Sequence, residues 1–230
     1  MDVRASTHPA VTGAVRALSR LNARHPWNHN DHFHGWIMRR LPRERGRALD
    51  VGCGRGRLLL GLASRFAAVE GTDRDADVRA GARERCRDRA NVAVANRQLA
   101  ELDGEYDLIT MVAVLHHLDA DEAITQVERL LAPGGRFLVV GLAPPTTRRD
   151  VAWDLASALT NPLIGLIKHP RSTGQGTMAA AQVPIKDPRI PLATLRESFA
   201  ARMPGARIRH RLAFRYTAEW TKPLESTCGA

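Results

Sequence analysis

Residues Arg47 to Leu62 read R-A-L-D-V-G-C-G-R-G-R-L-L-L-G-L, and no other stretch restricts the fold as strongly. Ala48, Leu49 and Val51 form a short apolar run suited to a buried strand, with Asp50 near its end. Gly52, Gly54 and Gly56 follow at alternate positions, and the apolar pattern resumes from Leu58 to Leu62 in a form compatible with a helix. The unit is strand, glycine turn, helix. Glycines admit positive φ and let a ligand approach the backbone closely. The helix start supplies unpaired N–H groups. Spacing and charge then narrow the ligand. A dinucleotide fingerprint needs a glycine where Arg57 stands, and a phosphate loop needs a Gly-Lys-Ser/Thr ending that is absent. An acidic residue two positions before the first glycine repels a pyrophosphate and suits a ligand carrying positive charge. An ordinary βα turn is the structural alternative.

The chain continues in the same alternation. Residues 66–73 read as a second strand ending at Asp73, 23 positions beyond Asp50. An acidic group there accepts hydrogen bonds from both hydroxyls of a ribose. The competing role is the N-cap of the following helix, which Asp75 can also fill. Residues 75–89 form a highly charged helix, and 91–102 a third strand with a short turn. Tyr106 to Met111 is a fourth strand, after which V-L-H-H-L opens a loop or short helix at its carboxyl end. Ligands of open α/β sheets bind at such ends. His116 and His117 are adjacent, so on a regular helix they do not both point at one site. A helix from Asp121 to Leu131, a Pro-Gly-Gly turn and a fifth buried strand ending near Gly141 complete a βαβ pattern.

The glycine segment D-V-G-C-G-R-G, the acidic Asp73, and the segment Y-D-L-I-T-M-V-A-V-L-H-H-L-D together resemble the class I S-adenosylmethionine (SAM) methyltransferases, over roughly residues 47–141. SAM carries a sulfonium and an amino group and no phosphate, so the charge argument agrees. The second of these segments is most similar to small-molecule and quinone-type members. The Asn/Asp-Pro-Pro-Tyr/Phe motif of nucleobase amine methyltransferases is missing there. The resemblance implies that Asp50 and the backbone of Gly52, Cys53 and Gly54 border the methionine part. It places Asp73 at the ribose, Gln98 and Leu99 at the adenine edge, and Met111 in the cofactor set. The family usually has an aspartate where this chain has Gln98, which can accept through its carbonyl and donate through its amide. The implied fold is a Rossmann-like, doubly wound seven-stranded α/β sheet, mostly parallel, with an antiparallel last strand inserted beside the fifth. The expected organisation is an N-terminal helical lid over 1–46, the methyltransferase domain over 47–222 and a loose tail over 223–230.

The flanks are less specific. Val11, Val15, Leu18 and Leu21 make one apolar stripe on a helix. Residues 25–36, H-P-W-N-H-N-D-H-F-H-G-W, combine imidazoles with aromatic rings. One reading is a lid that supplies proton transfer or hydrogen bonds; the other is an aromatic anchor with solvated histidines. No metal is expected, because Pro26 interrupts the segment and no cysteine joins it. Candidate bases are His117, His116, His34 and His32. A helix over Ile37 to Leu41 ends at Pro42, and Val151 to Ile167 is apolar nearly throughout, suited to a core helix pair, a substrate wall or a homodimer face. Residues 169–191 form a Gly/Pro/Ser/Thr-rich loop; a helix over 192–202 and strands over 207–212 and 214–222 close the fold.

The 230 residues suffice for one sizeable domain, and no apolar run reaches the ~18 residues of a membrane span. The N-terminus lacks the apolar core of a signal peptide, and the three cysteines show no metal-ligand spacing, so a cytoplasmic protein with free thiols is expected. The net charge of +10 raises an RNA-directed reading. However, lysine occurs only at Lys168, Lys186 and Lys222, and the arginines are spread along the chain. The expected activity is methyl transfer from SAM to an oxygen, nitrogen or carbon nucleophile of a small molecule. An RNA-directed enzyme and a non-catalytic SAM-fold scaffold are the alternatives.

Overall fold

The computed structural model describes residues 29–148, 150–153, 156, 157, 160, 164, 188, 190–212 and 215–224. Two short helices, α1 (His29–His32) and α2 (His34–Met38), precede the first strand, β1 (Arg47–Val51). Then follow α3 (Arg57–Ala63), β2 (Ala68–Thr72), α4 (Ala76–Cys86), β3 (Val92–Ala95), β4 (Tyr106–Val112), α5 (Ala120–Leu130) and β5 (Leu131–Gly141). The chain closes with α6 (Leu192–Arg202), β6 (Arg207–Arg211) and β7 (Arg215–Thr221). Tight single turns at Leu99–Glu101 and Leu115–His117 flank β4.

The strands form one sheet in the order β3-β2-β1-β4-β5-β7-β6. The first five are parallel, and β7 pairs antiparallel with both β5 and β6. The strand order reverses at β1/β4, so the carboxyl ends of these two strands bound the crevice where ligands of such sheets bind. Successive side chains point to opposite faces. Leu49, Ile109, Phe137 and Val139 face a core shared with Ile124 and Val127 of α5 and Leu195 and Phe199 of α6. Ala48, Leu108, Leu138 and Val140 face the other core, with Ile37 of α2, Leu59 of α3 and Ala82 of α4.

Local chemistry fixes the helix starts. Asp119 accepts from the Glu122 N–H at 2.9 Å and opens α5, whose buried Ala120, Ala123, Ile124, Val127 and Leu130 make one apolar stripe. The far end of α5 is held by Lys222, whose ammonium donates to the carbonyls of Glu128 and Leu131 at 3.0 and 2.7 Å. The Pro-Gly-Gly segment differs from the expected turn. It lies inside β5 as a bulge, because Tyr106 pairs with Leu131 while Leu108 pairs with Arg136. A Cβ on Gly135 would stand 2.8 Å from the Ala132 carbonyl oxygen and 2.9 Å from that of Tyr106, so only glycine fits there. The helix expected over Ile37–Leu41 stops at Met38.

Of the described residues, 30–144, 188, 190–211 and 215–224 belong to the sheet unit. His29, the described residues between 145 and 164, and Leu212 belong to a second unit. In the latter, Asp150 accepts from the Thr146 and Thr147 N–H groups at 3.1 and 2.8 Å and leads into helical residues 151–153. The apolar stripe at 11–21, His25, Trp27, most of the 169–191 loop, Cys228 and the end of the tail lie outside the described residues. Among the described residues, no helix is long and apolar enough to cross a membrane.

Candidate active site

The glycine turn after β1 is built by three left-handed residues, Gly52, Gly54 and Gly56, at φ +67°, +55° and +76°. Each position is constrained differently. A Cβ on Gly52 would stand 2.2 Å from Cγ2 of Val114, so the loop after β4 packs directly against the turn. A Cβ on Gly56 would meet Ala82 of α4 at 3.2 Å, so this glycine serves helix packing. Around Gly54 nothing lies within 4 Å of a Cβ position, which leaves open space on the backbone where a ligand can approach.

Two carboxylates converge on this turn. Asp50 is enclosed in β1 and accepts a hydrogen bond from the Thr110 hydroxyl of β4 at 2.6 Å. Burial pushes its pKa up to about 7, against the Thr110 bond, and the nearby Asp73 charge pushes the same way as burial. Asp73, half-buried just beyond β2, accepts from the Gly54 N–H at 3.1 Å and the Asp75 N–H at 3.0 Å, one on each oxygen. A carboxylate has about four lone-pair sites, so each oxygen can still accept a ligand hydroxyl. The N-cap of α4 is Asp75, which accepts from Asp77 and Val78. The N-cap role foreseen as the alternative for Asp73 therefore falls to Asp75. Cys53, in the same turn, is buried, its thiol pushed far up by burial and by the charges of Asp50 and Asp73. A thiol so disposed is inert; Cys53 contributes backbone and bulk.

The remaining expected cofactor residues are placed unevenly. Gln98 is exposed and starts the turn before β4, its N–H donating to Glu101 Oε2 at 2.8 Å. Leu99 is half-buried and packs on the α5/α6 core. Met111 is fully enclosed in that core.

At the end of β4, Ala113 takes a left-handed φ of +58°, unusual for a residue with a side chain, and its N–H donates to the Val140 carbonyl at 2.7 Å. The turn that follows holds His116 and His117, both half-buried, with ring centroids 4.0 Å apart. The expected divergence of the two rings assumed a regular helix; one tight turn instead keeps them together. In the N-terminal segment, Asp31 Oδ2 accepts from Arg57 Nη1 at 2.5 Å, and Asp31 Oδ1 lies 3.8 Å from His34 Nε2. Arg57 is the first residue of α3, so this chain of contacts ties α1 and α2 to the glycine turn. Burial holds the His34 pKa below the usual range; Asp31 opposes this and Arg57 reinforces it. His32 is exposed, its ring edge-on to Phe33 at 5.1 Å. Sequence reasoning missed Thr110, Val114 and Arg57. Each acts through an atom from a different strand or loop, which spacing along the chain does not reveal.

Comparison with known proteins agrees with this geometry. A methyltransferase-domain family model matches residues 49–139. An uncharacterized methyltransferase of Mycobacterium bovis is 33% identical over 206 residues, covering 86% of this chain and 98% of that protein. The chain belongs to the class I SAM-dependent methyltransferases. A ubiquinone biosynthesis O-methyltransferase of Methylococcus capsulatus is 35% identical over 96 residues, covering 39% of this methyltransferase and 40% of that protein. Magnesium protoporphyrin IX methyltransferase from Synechocystis, solved with SAH (S-adenosylhomocysteine, the demethylated cofactor), superposes with a TM-score of 0.52 at 18% identity. That alignment covers 94% of this chain and 88% of the other. An O-methyltransferase family protein from Burkholderia thailandensis gives a TM-score of 0.57 at 15% identity, over 95% and 62% of the respective chains. At these identities the structural likeness concerns the fold.

The residues present fit the family's cofactor. Two carboxylates and an open glycine backbone match a ligand with a positively charged amino-acid end and a ribose diol.

Proposed function

We propose that this methyltransferase transfers the methyl group of SAM to an oxygen, nitrogen or carbon nucleophile of a small molecule in the cytoplasm. The observation that carries the reading is Asp73 bound to the Gly54 N–H beside the enclosed Asp50, with free space over Gly54. SAM supplies an activated methyl group on a sulfonium; the chain supplies position, charge and exclusion of water. Asp50 faces the cationic amino-acid end, and the backbone of Gly52, Cys53 and Gly54 lines it. Asp73 accepts from the ribose hydroxyls, and Gln98 and Leu99 border the adenine. His117 takes a proton from the acceptor where one must be lost, with His116 beside it. His34, neutral near pH 7 because of burial, is the second base. A small acceptor is favoured by the loop V-A-V-L-H-H after β4, which has no Pro-Pro-aromatic element to clasp a nucleobase. The partial relative from ubiquinone biosynthesis points the same way.

The test is calorimetric titration with SAM and SAH, then transfer of labelled methyl from SAM to a panel of a catechol, a phenol, an amine and a β-keto acid. Micromolar binding with transfer to one member is expected. No binding by folded protein overturns the cofactor reading, and binding without transfer overturns the small-molecule reading.

One observation favours an RNA-directed enzyme. Alternation places Arg207, Arg209 and Arg211 of β6 on the sheet face that holds Arg136 and the Arg40–Glu219 pair. Arg209 and Arg40 both depress the Arg211 pKa, after burial, so these charges are clustered. RNA binding that weakens steeply with salt supports this second reading.

A further inference from the structure

The chain has two tyrosines, and the fold treats them differently. The Tyr106 hydroxyl donates to Glu70 Oε2 at 2.7 Å. The Tyr216 hydroxyl is buried with no hydrogen-bond partner among the described residues. Such a group costs stability and calls for an explanation. Trp220, on the same face of the same strand, has its N–H satisfied by the Pro204 carbonyl at 3.1 Å, so this region does pair its buried donors elsewhere.

The position of Tyr216 supplies the explanation. It pairs with Gly141, the last residue of β5. A Cβ on Gly141 would lie 2.3 Å from both Cζ and Oη of Tyr216, so the ring lies across the strand where Gly141 has no side chain to block it. This holds the hydroxyl over the carboxyl end of β5, on the side of the sheet where ligands bind. The neighbouring strand end is β4, through the Val112–Val140 pair and the Ala113 N–H to Val140 bond, and from there the loop of His116 and His117 begins. Burial pushes the phenol well above its ordinary pKa, so it stays protonated and acts as a donor, not as a base.

We propose that Tyr216 is an acceptor-binding residue whose hydroxyl donates a hydrogen bond to an oxygen of the molecule being methylated, and that Gly141 exists to admit its ring. The acceptor class is then one with a carbonyl, carboxylate or phenolic oxygen beside the methylated atom. This rests on the small-molecule reading above.

The experiment uses the full chain carrying Tyr216→Phe, with Gly141→Ala as a second variant that keeps the hydroxyl and displaces it. Melting temperature, SAH affinity and transfer kinetics on the panel acceptor used by the unaltered chain are measured together. For Tyr216→Phe the expected result is an unchanged or raised melting temperature, because an unpaired buried donor is removed. SAH affinity stays within about twofold, while kcat/KM falls about tenfold or more. Gly141→Ala is expected to lower kcat/KM similarly with SAH affinity kept. A lowered melting temperature for Tyr216→Phe reveals a structural partner and overturns the proposal; so does an unchanged kcat/KM. An unaltered chain that binds SAH but methylates no panel member removes the small-molecule reading and this inference with it. A folded chain that binds no SAH removes the cofactor reading first.

Discussion

The Thr110 hydroxyl donates to Oδ1 of Asp50 across 2.6 Å, between paired positions on neighbouring parallel strands, and both side chains are enclosed. The bond holds one carboxylate oxygen of the glycine turn in place and favours its charged form. Burial, together with the Asp73 charge, favours the neutral form and prevails, since the pKa is pushed up to about 7. The folded protein thus binds this proton more tightly than the unfolded chain does at 3.8. The stability contribution is full in acid and is lost as pH rises from about 4 to about 7, with no further change above. A cationic ligand reverses the preference, because it favours ionised Asp50. SAM affinity is therefore expected to rise as pH increases through about 7. Titrations between about pH 5.5 and 8.5 check this. Asp50→Asn should flatten the profile, and Thr110→Val should move its midpoint upward.

Asp73 and Asp75 provide a paired test of site against cap. Asp73→Ala should weaken SAM and SAH binding by about 1–3 kcal/mol, through loss of charged hydrogen bonds. Asp75→Ala should cost about 1 kcal/mol of folding stability, because it removes the acceptor for Asp77 and Val78, and leave cofactor affinity nearly unchanged. Calorimetry and urea unfolding on both variants separate the roles; unchanged affinity in Asp73→Ala removes Asp73 from the site.

Gly52 links the two loops that bound the crevice. Gly52→Ala combines a side chain at φ +67° with a 2.2 Å approach to Val114. A loss of about 1–3 kcal/mol in stability is expected. Adding Val114→Ala should restore the steric part only, leaving the backbone strain, and denaturant midpoints of the single and double variants measure the two parts.

His117→Ala should lower turnover on an acceptor that must lose a proton, by about 10²–10⁴-fold, with SAM affinity little changed. On an acceptor that attacks without losing a proton, the same variant should be nearly as fast as the unaltered chain. Equal turnover on both acceptors rejects His117 as the base and directs attention to His34.

The thiols give a simpler prediction. Cys53 and Cys86 are free, buried and held above the ordinary thiol pKa chiefly by burial. Alkylation of both should be slow near pH 7.5 in the folded protein and fast after denaturation. Mass spectrometry of the labelled peptides reads the outcome.

Periodicity and turn chemistry determined most of the framework from the sequence alone. The alternation from Ala48 to Gly141, the cap at Asp75 and the three glycines are local signals, and each acts over a few residues whatever the rest of the chain does. The acidic residues ending β1 and β2 were legible for the same reason. The tertiary structure decided what depends on neighbours distant in sequence. It bonded Asp50 to Thr110, set Val114 against Gly52, enclosed Met111 in the core, and moved the Pro-Gly-Gly segment inside β5. It also carried the Tyr216 ring over Gly141, joining positions that only the antiparallel insertion of β7 beside β5 brings together. Local pattern fixes which elements form; pairing and packing between strands fix which side chains meet, and the site's electrostatics follow from those meetings.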